Sequence, residues 1–150
     1  ADGLVDAESV PWGAASTKTR YAITDAGVAA FMRWMDDPVE YARERDPLHL
    51  RAAYFEWADP DSARARLRDH IAHYEQQRVQ WQAQLDAIRD RTHPILAARL
   101  RADARHDADA IVAFKEFTYE GFIERADHEI AWARRGLALL DGLSDSASEF

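Results

Sequence analysis

The sequence predicts a mainly α-helical fold: a short two-stranded hairpin first, then long helices that pair lengthwise in a coiled-coil-like bundle. Three observations predict it. Residues 4–23 hold two short strand-like stretches around a turn-rich segment. Two apolar seams with four-three spacing run through residues 67–88 and 112–140. Asp37-Pro38, Asp46-Pro47, Asp59-Pro60 and His93-Pro94 cut the chain into helix-length pieces.

At 150 residues the chain suits one domain, or one domain plus a fragment. Apolar residues make up 47%, enough for a core. No apolar run approaches the ~20 residues needed to cross a bilayer, so no membrane partner is expected. The chain has no cysteine and opens with no secretory leader, which fits an intracellular, cytoplasmic protein. A net charge of −8 argues against a surface that binds phosphate everywhere.

Leu4 to Ser9 is the first strand, and Pro11, Trp12, Gly13 and Ser16 supply the turn. Arg20 to Ile23 pairs back, with Tyr21 and Ile23 on one face. Thr24 then caps a helix whose first turn carries Asp25, and Val28, Phe31, Met32 and Met35 recur at helical spacing. Asp37-Pro38 stops it, and Asp46-Pro47 starts another. From Leu48 to Trp57, Leu48, Ala52 and Phe55 fall on one face and Leu50, Tyr54 and Trp57 on a second. A helix buried on most sides is expected there.

Asp59-Pro60 opens a helix expected to run to about Arg91. Its seam is Leu67, Ile71, Tyr74, Trp81, Leu85 and Ile88, with Arg78 in the polar slot. From Ile95 to Leu140 there is no proline, and a single helix there would be roughly 70 Å long at ~1.5 Å per residue. The polar stretch from Ala102 to Asp107 is the expected break. The second seam, Val112, Tyr119, Ile123, Ala126, Ile130, Ala133, Leu137 and Leu140, carries Glu116 in its polar slot. Gly142 is expected to end the helix.

Phe114, Phe117, Phe122 and Trp132 lie off the main stripe. One antiparallel pair of helices cannot cover that much apolar surface, so a two-fold homodimer bundle is expected. Its interface would use Leu67, Ile71, Tyr74, Arg78, Trp81, Leu85, Ile88, Tyr119, Ile123, Ile130 and Leu137.

The stretches GLVDAES (3–9), TRYAITDAGVAAFMRWM (19–35) and TYEGFIERADHEIAWARR (118–135), in this order, resemble the PadR family of transcriptional regulators. The resemblance covers roughly residues 3–140. It implies the wing of a winged-helix DNA-binding domain, the helix after it and a C-terminal helical dimerisation region. It also implies a homodimeric regulator, usually a repressor, with operator DNA as partner of the full-length protein and, in some members, a small aromatic or multidrug-like effector. The recognition helix of the family precedes the position of Gly3, so the chain is expected to be the part of such a regulator that follows that helix. The division expected is a partial winged-helix domain over 1–37, a helical dimerisation and effector domain over 38–143, and a flexible tail over 144–150. The alternative is a helical protein-interaction module that does not touch DNA.

Ser16, Thr17, Lys18, Thr19 and Arg20 sit where the resemblance places the wing tip, and hydroxyls and cations suit phosphate contact. An ordinary solvated turn would look the same. Trp81, Phe117 and Trp132 are candidates for a pocket that takes flat apolar ligands, beside the plainer role of tryptophan and phenylalanine as core and interface anchors. His70 and His73 are one helical turn apart, yet no second pair at ligand spacing accompanies them, so a solvated face is expected rather than a metal. Arg78 and Glu116 either pair with each other or reach water along their apolar stems. No nucleophile elbow, phosphate-cradling loop or helical Glu-x-x-His pair occurs, so neither enzymatic activity nor a cofactor is expected.

Overall fold

The structure is a computed structural model that describes residues 3–13, 15–41, 46–102 and 106–147, the last four of these by backbone alone. It divides into two compact units, Ala1–Glu44 and Arg45–Phe150.

The first unit is a hairpin joined to a helix. Strands β1 (Val5–Trp12) and β2 (Ser16–Ile23) pair antiparallel, from Val5 opposite Ile23 to Trp12 opposite Ser16. The strands are longer than the residues alone indicated: Pro11 and Trp12 lie in β1, not in the turn. Proline is tolerated because both strands of a two-stranded sheet are edges, where its missing N–H removes no essential ladder bond. Gly13 takes φ 70°, the left-handed conformation that glycine adopts without strain. The Ser16 hydroxyl donates to the Trp12 carbonyl across the turn.

Helix α1 (Asp25–Asp36) begins where β2 ends, and Thr24 makes the joint. Its hydroxyl accepts from the Gly27 amide at 3.0 Å and donates to the Gly3 carbonyl at 2.7 Å, while its own amide donates to the Leu4 carbonyl at 3.1 Å. One threonine thus caps the helix and ties it to the start of the hairpin. The amide of Asp37 closes the last turn on the Arg33 and Trp34 carbonyls, and Pro38 follows.

In the second unit, α2 (Pro47–Ala52) is capped by Asp46, whose carboxylate accepts from the amides of Leu48 and His49 at 2.8 and 3.0 Å. Burial opposes the charge on Asp46, but hydrogen bonds from the amides of His49 and Leu48, with the His49 ring beside the carboxylate, outweigh it. The carboxyl is held below its ordinary value. The helix expected through Trp57 is interrupted: α2 stops at Ala52, and a single 3-10 turn spans Phe55–Trp57. Only one of its two apolar faces is covered. Leu48, Ala52 and Phe55 are half-buried, whereas Leu50, Tyr54 and Trp57 stay exposed, Trp57 at 86%.

Helix α3 (Pro60–Arg89) is capped by Asp59 on the Ser62 amide, α4 (Pro94–Ala102) follows, and α5 (Ala108–Ala147) runs back along α3. The break expected between Ala102 and Asp107 falls between α4 and α5; Asp103, Ala104 and Arg105 lie outside the described residues. Gly142 does not end α5, which continues to Ala147, and the side chains of 144–150 lie outside the described residues.

The seams meet each other inside one chain. Ala63, Leu67, Leu85 and Ile88 of α3 are buried, as are Ile111, Val112, Ala126, Ile130 and Ala133 of α5. Leu96 of α4 closes one end against Ile88, Ile111 and Val112. Near the other end, Gly136 lets Leu67 approach so closely that an added Cβ would lie 3.0 Å from its Cδ1. Ion pairs flank the seam in antiparallel order: Arg64–Asp141 at 3.0 Å, Glu75–Arg134 at 3.0 Å, Arg78–Asp127 at 3.0 Å and Arg89–Glu120 at 2.7 Å.

Candidate functional site

The wing residues lie along β2 rather than at its tip. Only Ser16 borders the turn; Thr17, Lys18, Thr19 and Arg20 follow it into the strand opposite Pro11, Val10, Ser9 and Glu8. Alternation puts Lys18 and Arg20 on one face and Thr17 and Thr19 on the other. Both cations are engaged at home: Lys18 Nζ sits 3.6 Å above the Trp12 ring, and Arg20 Nη2 lies 2.5 Å from Glu8 Oε2. All five side chains are exposed, so the pairings are of the weak surface kind that a stronger anion can displace.

The expected dimer seam is largely used up within the chain. Leu67, Leu85, Ile88 and Ile130 are at most 5% exposed and have no surface left for a partner. Ile71, Tyr74, Trp81, Tyr119, Ile123 and Leu137 are half-buried, and Arg78 is exposed. Arg78 and Glu116 do not meet: Arg78 pairs with Asp127, and Glu116 lies 3.6 Å from Arg89. What the single chain leaves uncovered is a different set. Phe114 and Phe117 of α5 are 73% and 74% exposed, and Ile95 of α4 and Val79 of α3 are exposed as well. Side chains that apolar rarely stand open on a lone molecule in such number.

The three residues expected to form a pocket do not converge. Trp81 packs on Phe122 at 5.3 Å, Phe117 faces solvent, and only Trp132 borders a substantial cavity. That cavity, of about 790 Å³, lies between α2, the 3-10 turn, α3 and α5. Its floor is Leu67, Leu139, Leu140 and Leu143, and His49, Phe55, Glu56, Trp132 and Arg135 supply its polar and aromatic groups. The volume is in the range of small-molecule sites.

Behind the cavity wall lies a cluster that sequence reasoning missed. Glu129 is buried, and its Oε2 lies 3.0 Å from His70 Nε2 and 3.6 Å from His49 Nε2. The His49 ring stacks on Trp132 at 3.9 Å, and its shielded Nδ1 lies 3.2 Å from the Asp46 carboxylate without an aligned hydrogen bond. The buried carboxylate thus has an imidazole partner, as a buried charge requires. One signal was available: Glu129 falls at helical spacing between Ala126 and Ala133 on the buried face of α5. His70 and His73 are drawn apart, His70 inward to Glu129 and His73 outward beside Tyr74. Among the described residues no group of three or more His, Asp or Glu side chains is arranged to hold a metal.

No helix among the described residues is long and apolar enough to cross a membrane. No protein-family model matches the sequence. No curated protein matches it at the level of sequence either. Solved structures do match. A PadR-like transcriptional regulator of Bacillus cereus superposes with TM-score 0.58 at 19% identity, over 93% of this chain and 69% of the other. Bacillus subtilis PadR in complex with operator DNA gives 0.65 at 16%, over 91% and 70%. The Vibrio cholerae virulence activator AphA gives 0.61 at 18%, over 94% and 70%. From the wing hairpin through the paired long helices, this chain has the fold of the PadR-like winged-helix regulators.

Proposed function

We propose that the chain is the wing-bearing, dimerising and effector-sensing portion of a homodimeric DNA-binding transcriptional regulator, with no catalytic role. The observation that carries this reading is the coexistence in one chain of a cap-locked wing and a two-helix bundle whose outward face is aromatic. A bundle that shelters its own seam, yet leaves Phe114 and Phe117 in water, is built for a second copy. The likeness to operator-bound Bacillus subtilis PadR supports the assignment of DNA as partner.

In this reading the wing touches the DNA backbone through Ser16, Thr17, Lys18, Thr19 and Arg20, which positions the protein without reading sequence. Base readout belongs to a recognition helix ahead of the wing. The cavity beside Trp132 takes a small effector, and a ligand that favours one arrangement of the two copies shifts operator affinity by that preference.

The coding sequence ahead of the wing tests the DNA assignment. Helices ending in a basic amphipathic one support it. An unrelated segment there would leave a helical interaction module with a hairpin attached. In the complete gene product, charge reversal at Lys18 and Arg20 lowers operator affinity and flattens its salt dependence by about one unit of slope per lost phosphate contact.

A further inference from the structure

The cavity beside Trp132 points to a ligand class, an inference that rests on reading this unit as an effector domain. We propose that it takes a zwitterionic amphiphile: an aliphatic body with a head group that carries one positive and one negative charge.

The body follows from the lining. Leu67, Leu139, Leu140 and Leu143 make an aliphatic floor, and Ala52, Ala53 and Ala58 leave space that larger side chains would have filled. A hollow of about 790 Å³ kept open by alanine is unlike a close-packed core. Of the three rings that border it, His49, Phe55 and Trp132, the first and last are stacked on each other at 3.9 Å, so their shared faces are closed to a flat ligand.

The head group follows from charge. Three ionisable side chains border the cavity: His49, Glu56 and Arg135. His49 has Asp46 and Glu129 on either side. Glu56 and Arg135 have no hydrogen-bond or ion-pair partner among the described residues, and they do not pair with each other. Both are solvent-exposed; a singly charged amphiphile would pair with one of them and bring like charge to the other. A zwitterion pairs with both, and complementary charge of this kind sets specificity more than raw affinity.

Calorimetric titration of the whole chain, below the micelle-forming concentrations, compares four dodecyl probes: a betaine, laurate, dodecyltrimethylammonium and a neutral glycol ether. The betaine is expected to bind tightest, about threefold or more above each singly charged probe, as partly exposed pairs allow. Arg135→Gln weakens the betaine and laurate and spares the ammonium. Glu56→Gln weakens the betaine and the ammonium and spares laurate. Ala53→Leu, with its helical content checked by circular dichroism, abolishes binding of all four.

Equal affinity for laurate or the ammonium, silence of both charge variants, or no binding of any dodecyl probe by the folded chain would each overturn the assignment. Binding of a planar aromatic at Trp132 without any dodecyl probe would overturn it and leave the regulator reading standing. A monomeric mass would do the reverse.

Discussion

Gly27 lies directly beneath the Leu4 carbonyl: a Cβ built on it would sit 2.1 Å from that oxygen and 2.7 Å from Ile23 Cγ1. This contact explains physically why a glycine stands three residues after Thr24. Thr24 ties the helix to the start of the hairpin, and the glycine one turn later lets the backbone come that close.

Gly27→Ala is therefore expected to loosen the wing. Backbone, not a flexible side chain, is the obstacle, so the hairpin must shift at a cost of about 1–3 kcal/mol. Amide exchange in β1 and β2 reads the effect. Gly121→Ala is the control: nothing lies within 4 Å of its Cβ position in mid-helix, and the change should stabilise by about 0.5–1 kcal/mol.

Truncation at the buried carboxylate separates pairing from charge. Glu129→Ala leaves His70 buried without its partner and should cost about 1–3 kcal/mol in urea unfolding. Glu129→Gln keeps an acceptor for His70 Nε2 and should cost less. Equal losses in the two variants would mean that the hydrogen bond to His70 contributes nothing.

Acid should release α2 early. The folded-state value of Asp46 lies below its unfolded value of 3.8, so its stabilisation is complete above that value and is lost as pH falls through the folded one. Asp59, held down first by the Ser62 amide, acts in the same direction on α3. Circular dichroism from pH 5 downward should show helix loss that Asp46→Asn reduces. Asp46→Ala should cost about 1 kcal/mol at neutral pH.

The flanking ion pairs set register more than stability. Arg78 and Asp127 are each about half exposed, at 52% and 51% of their side chains. A double-mutant cycle should return about 0.2–1 kcal/mol, shrinking with added salt. A coupling that salt does not touch would show that the pair is effectively buried.

Much of this fold was legible in the residues. Proline and aspartate marked the starts of α2 and α3, and periodicity marked both seams, because caps and period are local properties. What the seams packed against was not local. A four-three stripe signals a partner helix without saying whose it is, and Leu67, Leu85, Ile88 and Ile130 found theirs within the chain. The cavity was harder still. Trp81, Phe117 and Trp132 were singled out by type, whereas His49 and Glu129 meet across 80 residues of sequence and only the fold brings them together. Helix α5 runs past Gly142 to Ala147, because one weak helix former does not by itself end a helix.

The outward aromatic face is the feature on which the regulator reading depends, and molecular mass in solution tests it most directly. Sedimentation equilibrium at micromolar concentration should give twice the mass of the chain, and Phe114→Ser with Phe117→Ser should give a folded monomer with unchanged helical content. A wild-type chain that sediments as a monomer, with those phenylalanines in water, would contradict the account.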